Sequence, residues 1–149
     1  PLMMETVGSY YAPYVLMHIA GTPENIQKKP EYKNVVQEIF HYFSEKIQQG
    51  YQKGINDVII DPGFGFGKTM EHNYELLKNL ELFHSLELPL LVGVSRKSMI
   101  YKKLGVSPDG ALNGTSALNS IALLKGAHIL RVHDVKEAKE CSVLLQALQ

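Results

Sequence analysis

The stretch Val58-Ile59-Ile60-Asp61-Pro62-Gly63-Phe64-Gly65-Phe66-Gly67-Lys68-Thr69 sets an unbroken β-branched run against a carboxylate, a proline and three alternating glycines. A short apolar run bounded by turn residues reads as a strand, and one without alternation suits a strand covered on both faces, as in parallel sheets. The glycines followed by Lys-Thr invite a phosphate loop. The spacing excludes it: the first glycine of a P-loop would fall on Pro62, which has no N–H to donate. A dinucleotide fingerprint fails as well, because its third glycine would fall on Lys68. Lys68 and Thr69 are instead expected to begin the next turn.

Outward from this stretch the same grammar recurs. Tyr14 to Ile19, Pro89 to Ser95 and His128 to His133 are further strand candidates. Between them lie helical patterns: Glu31 to Gln49 with Gly50 as a stop, a stripe of Tyr74, Leu77, Leu80 and Phe83, then Lys97 to Leu104 resuming from Thr115 to Lys125. A last helix runs from about Asp134, its expected cap, to Leu148. The order is βα four times, with no linker or composition shift, so residues 1–149 form one α/β unit and no second domain. Each strand turns polar at its C-terminal end, at His18, at Asp61, at Ser95-Arg96-Lys97, and at Arg131, His133 and Asp134. In a parallel α/β fold those ends share the face where ligands bind. Two architectures fit, a doubly wound open sheet and half of a (β/α)8 barrel. A complete barrel takes about 250 residues, so length alone favours the open sheet.

Composition narrows the function classes. The 149 residues are 45% hydrophobic and 20% charged, with 15 basic against 15 acidic side chains, the profile of a globular chain without a field for nucleic acid. The single cysteine, Cys141, cannot form an internal disulfide, and there is no signal peptide and no apolar run of roughly 18 residues, so a cytoplasmic protein with no membrane partner is expected. The chain opens at Pro1 in mid-pattern, as a fragment of a longer protein would.

The strand ends carry the candidate chemistry. Asp61 reads either as a cap for the following turn or as a carboxylate accepting N–H bonds from a flat heterocycle, with Gly63, Gly65 and Gly67 admitting a ligand and Phe64 and Phe66 as walls. Alternation puts Gly93, Ser95 and Lys97 on one side. Ser98 then opens a helix where a carboxylate or phosphate could sit, although a basic turn with a serine cap reads equally well. Arg131 and His133 share a side and suit an anion, and the preceding Ile129-Leu130 implies burial. His18 is as fitting a structural residue as a catalytic one. His41, His72, His84 and His128 lack zinc spacing, so no metal site is expected, and Cys141 reads as packing.

Four ordered motifs, Leu16-Met17-His18 with Gly21-Thr22-Pro23, Asp61 to Lys68, Gly93 to Ser98, and Arg131 to Val135, resemble the C-terminal half of the dihydropteroate synthase family over essentially the whole chain. That family is a (β/α)8 barrel, so the resemblance implies strands five to eight with their helices. It also implies the condensation of 6-hydroxymethyl-7,8-dihydropterin diphosphate with p-aminobenzoate to dihydropteroate in folate biosynthesis. By the same resemblance Asp61 and Lys97 hold the pterin, Met17 and Gly93 line its pocket, and Arg131 lies over its face. Arg131 and His133 hold the diphosphate, and Phe66 and Ser98 contact p-aminobenzoate; Lys97, Arg131 and His133 are the implied catalytic residues. Mg²⁺ is the implied cofactor, its asparagine ligand belonging to the family's N-terminal half. A homodimer or a self-associated half-barrel is expected, with little synthase activity from this half alone. Ile19-Ala20 departs from the family's usual Met-Arg. The rival readings are another pterin-binding barrel, such as a methyltetrahydrofolate-dependent methyltransferase domain, and a non-catalytic half-barrel binding module.

Overall fold

The computed structural model of the chain describes residues 2–21 and 31–148, so Thr22 and Pro23 of the first motif lie outside the described residues. The β-branched runs form four short parallel strands, β1 (Tyr14–Met17), β2 (Val58–Asp61), β3 (Leu91–Val92) and β4 (Ile129–Leu130). β1 pairs with β2 in the register Tyr14 to Val58 through Met17 to Asp61, and β3 pairs with β4 in the register Leu91 to Ile129. A bridge between Ile60 and Leu90, with the Ile60 N–H donating to the Pro89 carbonyl at 2.9 Å, joins the two pairs. The strands therefore follow one another in chain order. A doubly wound sheet reverses its order at a switch point, and the described strands show no such reversal.

Burial separates the two faces. Leu16, Val58, Ile60, Leu90 and Val92 are at most 4% exposed, whereas Val15 and Ile129 on the alternate face are 46% and 37% exposed. The expectation of strands covered on both faces is thus corrected: the helices bury one face and leave the other partly open. Pairing also stops earlier than the apolar runs suggested, at Met17, Val92 and Leu130. Beyond β3 the chain turns at a left-handed Arg96 (φ 52°).

Among the described residues six α-helices accompany these strands. α1 (Leu2–Ser9) has no counterpart in the sequence reading. α2 (Val35–Gln52) starts later than expected because Asn34 caps it, accepting from the Gln37 N–H at 3.0 Å; it runs through Gly50 and ends before Gly54, whose φ is 81°. α3 (Met70–Lys78) begins at a reciprocal cap in which Thr69 Oγ1 accepts from the His72 N–H and His72 Nδ1 accepts from the Thr69 N–H. A 3-10 turn, Leu80–Leu86, follows, and its Leu80 and Phe83 complete the expected stripe in the core. α4 (Ser98–Leu104), α5 (Leu112–Leu124) and α6 (Val135–Gln146) end the chain. Phe43 of α2 and Phe83 meet edge to face at 5.8 Å between ring centres, both fully buried, and Phe64 of the glycine loop is buried with them. Phe64 is therefore core, not a wall facing a ligand.

Candidate functional site

A carboxylate at a strand end must find donors or remain costly to bury. Asp61, 6% exposed, meets that need by accepting from the Gly63 N–H at 2.8 Å through Oδ1. Burial still holds its carboxyl above the ordinary range, while that hydrogen bond and the charges of Lys97, Lys68 and Arg131 pull the other way. Among the described residues no donor reaches its Oδ2. Gly63, Gly65 and Gly67 all have positive φ. A Cβ on Gly63 would lie 2.0 Å from the His18 carbonyl oxygen, and one on Gly67 would lie 2.7 Å from that of Ala20. Gly63 and Gly67 are thus required by the loop's approach to the end of β1, not, as the sequence suggested, to admit a ligand, whereas a Cβ on Gly65 would press on the Lys97 side chain at 3.3 Å.

Lys68 is the residue that sequence reasoning most undervalued. Its Nζ lies within 2.9 to 3.3 Å of three carbonyl oxygens, those of Gly63, Phe66 and His18, and 3.0 Å from His18 Nδ1. Burial pulls its pKa down to about 7, with the Asp61 charge opposing. His18, 7% exposed, is driven to about 4 by burial and by the neighbouring Lys68 charge, so it is a neutral acceptor at physiological pH. The edge-to-face contact with Tyr42, 4.9 Å between ring centres, holds its ring. His18 thus takes the structural role of the two left open by the sequence. No pattern of letters announces this arrangement, because most of the acceptors around Lys68 are main-chain oxygens.

Beyond β3 the chain aims Ser95 and Lys97 at the same space. The Lys97 ammonium donates to the Phe64 carbonyl and sits 4.6 Å from the centre of the Phe66 ring; burial lowers its pKa. Ser95, 4% exposed, anchors His133: its Oγ lies 2.9 Å from His133 Nδ1 and accepts from the His133 N–H at 3.2 Å. Between them Arg96 faces away. Its Nε and Nη2 grip both oxygens of Asp134 at 2.9 and 2.7 Å, and its own N–H donates to Thr115 Oγ1 at 3.1 Å. This latch holds the Asp134 carboxyl below its ordinary range and ties the loop after β3 to the loop after β4. Asp134 is therefore no side-chain cap for α6, since Arg96 already occupies its oxygens. Arg131 is exposed rather than buried, because β4 pairs on one side only among the described strands.

These groups enclose a cavity of about 350 Å³. Asp61, Phe66, Gly93, Lys97, Arg131 and His133 all line it, together with Ser95 and Val132. Six of the eight residues singled out from sequence thus meet in one place. Met17 and Ser98 do not line it: Met17 pairs in register with Asp61, and Ser98 opens α4. The arrangement offers a carboxylate acceptor on one wall, an ammonium and an aromatic ring beside it, and a guanidinium with an imidazole at the rim. It suits a flat, nitrogen-rich ring carrying an anionic group. Among the described residues no three His, Cys, Asp or Glu side chains converge as a metal site, and the cavity's Asp61 faces cations. These residues do not fit Mg²⁺, which needs oxygen ligands. Among the described residues no helix is long and apolar enough to cross a membrane.

Comparison with known proteins is consistent with this geometry. The family described as pterin binding enzyme matches residues 1–133. The dihydropteroate synthase of Escherichia coli (strain K12) is 46% identical over 99% of this chain and 53% of its own length. That of Haemophilus influenzae is 40% identical, over 99% and 54%. Among solved structures, the Yersinia pestis dihydropteroate synthase with a sulfonamide drug complex superposes with a TM-score of 0.96 at 43% identity, covering 99% of this chain and 55% of that one. The Xanthomonas albilineans dihydropteroate synthase with 4-aminobenzoic acid gives a TM-score of 0.92 at 36% identity, over 100% and 54%. The chain spans about half the length of the curated relatives it matches.

Proposed function

This chain belongs to the pterin-binding enzyme family, and we propose on that premise that it is the part of a dihydropteroate synthase that holds the pterin and the departing diphosphate. The single observation that carries the reading is the meeting of Asp61, Lys97, Arg131 and His133 around one cavity. Asp61 Oδ2 accepts from the amino and ring N–H groups of the pterin, Lys97 donates to its polar edge, and Gly93 leaves room for the ring. Arg131 covers the ring face, and with His133 it neutralises the diphosphate as the C–O bond to the pterin methylene breaks. The amine of p-aminobenzoate then forms the new C–N bond and loses a proton, with Phe66 flanking its ring. Catalysis by these residues consists of positioning and charge neutralisation.

We further place the four strands as strands five to eight of a (β/α)8 barrel, residues 1–149 forming one unit. Their chain-order pairing and the half-open face beneath the cavity support this. Leu124 of α5 and Val143 and Leu144 of α6, between 56% and 70% exposed, favour association through the last helices.

Calorimetry with the pterin diphosphate and with a sulfonamide, on this chain and on a version extended toward the N-terminus, tests the reading. The pterin diphosphate is expected to bind both, and Asp61→Asn to weaken it by about tenfold or more. Turnover is expected only from the extended version. A chain with no affinity for the pterin diphosphate in either form would refute it, and full turnover from the short chain would refute the division of labour.

A further inference from the structure

Several contacts of the glycine loop sort by sign: the Gly63 and Gly65 N–H groups meet side-chain oxygens, and the Gly63, Phe64 and Phe66 carbonyls meet ammonium groups. The Gly63 N–H donates to Asp61 Oδ1, and the Gly65 N–H donates to Oδ1 of the buried Asn73 at 2.7 Å. The Gly63 and Phe66 carbonyls both accept from Lys68, and that of Phe64 accepts from Lys97. Lys97 borders the cavity, but Lys68 does not line it. Lys68 reaches the opposite side of the loop and bridges two loop carbonyls to the carbonyl and Nδ1 of His18, just beyond β1. Only an ammonium supplies three donors from one atom, and this cage of four acceptors surrounds one nitrogen. The two loop residues it grips are the ones that matter at the cavity. Gly63 holds the Asp61 carboxylate through its N–H, and Phe66 presents its ring as a wall.

We propose that Lys68 is a positioning residue, an internal cation that fastens the glycine loop to the end of β1 and thereby sets Asp61 and Phe66 for the ligand without touching it. The inference rests on the pterin reading of the cavity for its consequence, but not for the clamp itself. A neutral His18 with its proton on Nε2 leaves Nδ1, 3.0 Å from the ammonium, as the fourth acceptor. Tyr32 closes the loop's outer side by donating to the Gly67 carbonyl at 3.2 Å, so the loop is held from both sides.

The test compares, at a pH below the Lys68 pKa of about 7, the wild-type chain with Lys68→Ala, which removes the ammonium and leaves space that a small amine can refill. Amide hydrogen exchange at Gly63 and Phe66 is expected to accelerate by about tenfold in the variant, while Ile60 in the core changes little. Added ethylammonium is expected to restore the protection, and tetramethylammonium, which has no N–H, is not. Affinity for the pterin diphosphate should fall and recover in parallel. Unchanged loop exchange, or loss that ethylammonium does not reverse, overturns the clamp. Should the loop respond as expected while neither the wild-type chain nor its extended version binds the pterin diphosphate, the clamp stands and the proposed function fails. A measurement without a variant covers the case in which Lys68→Ala does not fold. In the wild-type chain the Lys68 Nζ protons should exchange with water at least about tenfold more slowly than those of the exposed Lys136, and equal rates overturn the proposal.

Discussion

Gly63 and Gly105 form a matched pair in which one perturbation separates two costs. Their φ angles are nearly identical, at 69° and 67°, so a side chain at either carries the penalty of the left-handed region. Their surroundings are opposite: a Cβ at Gly105 meets nothing within 4 Å, whereas one at Gly63 lies 2.0 Å from the His18 carbonyl oxygen. Gly105→Ala should therefore cost only the left-handed penalty, about 1–2 kcal/mol. In Gly63→Ala that backbone oxygen cannot swing away as a side chain could, so the loop and the end of β1 must separate by more than an ångström. The separation breaks the bond from the Gly63 N–H to Asp61 and loosens the Lys68 bridge to His18. Two such bonds to charged groups, at about 1.5 kcal/mol or more each, bring the expected cost to about 4–5 kcal/mol. Urea unfolding followed by circular dichroism measures both variants against the wild-type chain, with the slopes compared to confirm like transitions. Equal destabilisation of the two variants, within about 0.5 kcal/mol, would refute the contact between loop and strand on which the site geometry depends.

Two further outcomes follow from the same contacts. Unfolded His18 takes up a proton near 6.5 that the folded ring refuses until about 4, so the unfolded state binds more protons in that window and stability falls as pH drops through it. The loss amounts to up to about 3 kcal/mol, with Asp61, whose raised pKa acts in the opposite sense, trimming it at the acid end. Unfolding midpoints between pH 7 and 4 test this; His18→Asn, which keeps an acceptor for Lys68, should flatten the slope, and an unchanged slope counts against the assignment. Arg96→Lys gives up the two-pronged grip on Asp134 while keeping the charge. Inorganic diphosphate should then bind several-fold more weakly, because the loops carrying Lys97 and His133 are no longer tied; calorimetry showing unaltered affinity would disprove the latch.

What the chain's letters carried was local and periodic. Alternating apolar runs and helical stripes are read one residue at a time, so the four βα units were legible, and so was the meeting of Asp61, Lys97, Arg131 and His133, since parallel strands bring their ends together whatever their order. Even the caps at Asn34 and Thr69 are short-range effects, although the letters placed the α2 start early and the strands too long. What only the tertiary structure decided concerns groups that no letter encodes. Carbonyl oxygens such as those of His18, Gly63 and Phe66 are present at every residue and become acceptors only through the path of the chain, which is why Lys68 read as a turn residue and is in fact a clamp. Asp134 looked like a cap because its nearest backbone was known and its distant partner was not; folding brought Arg96 closer than the helix end. The half-open face of the sheet belongs to the same class, because burial is a property of what packs against a strand and not of the strand's own residues.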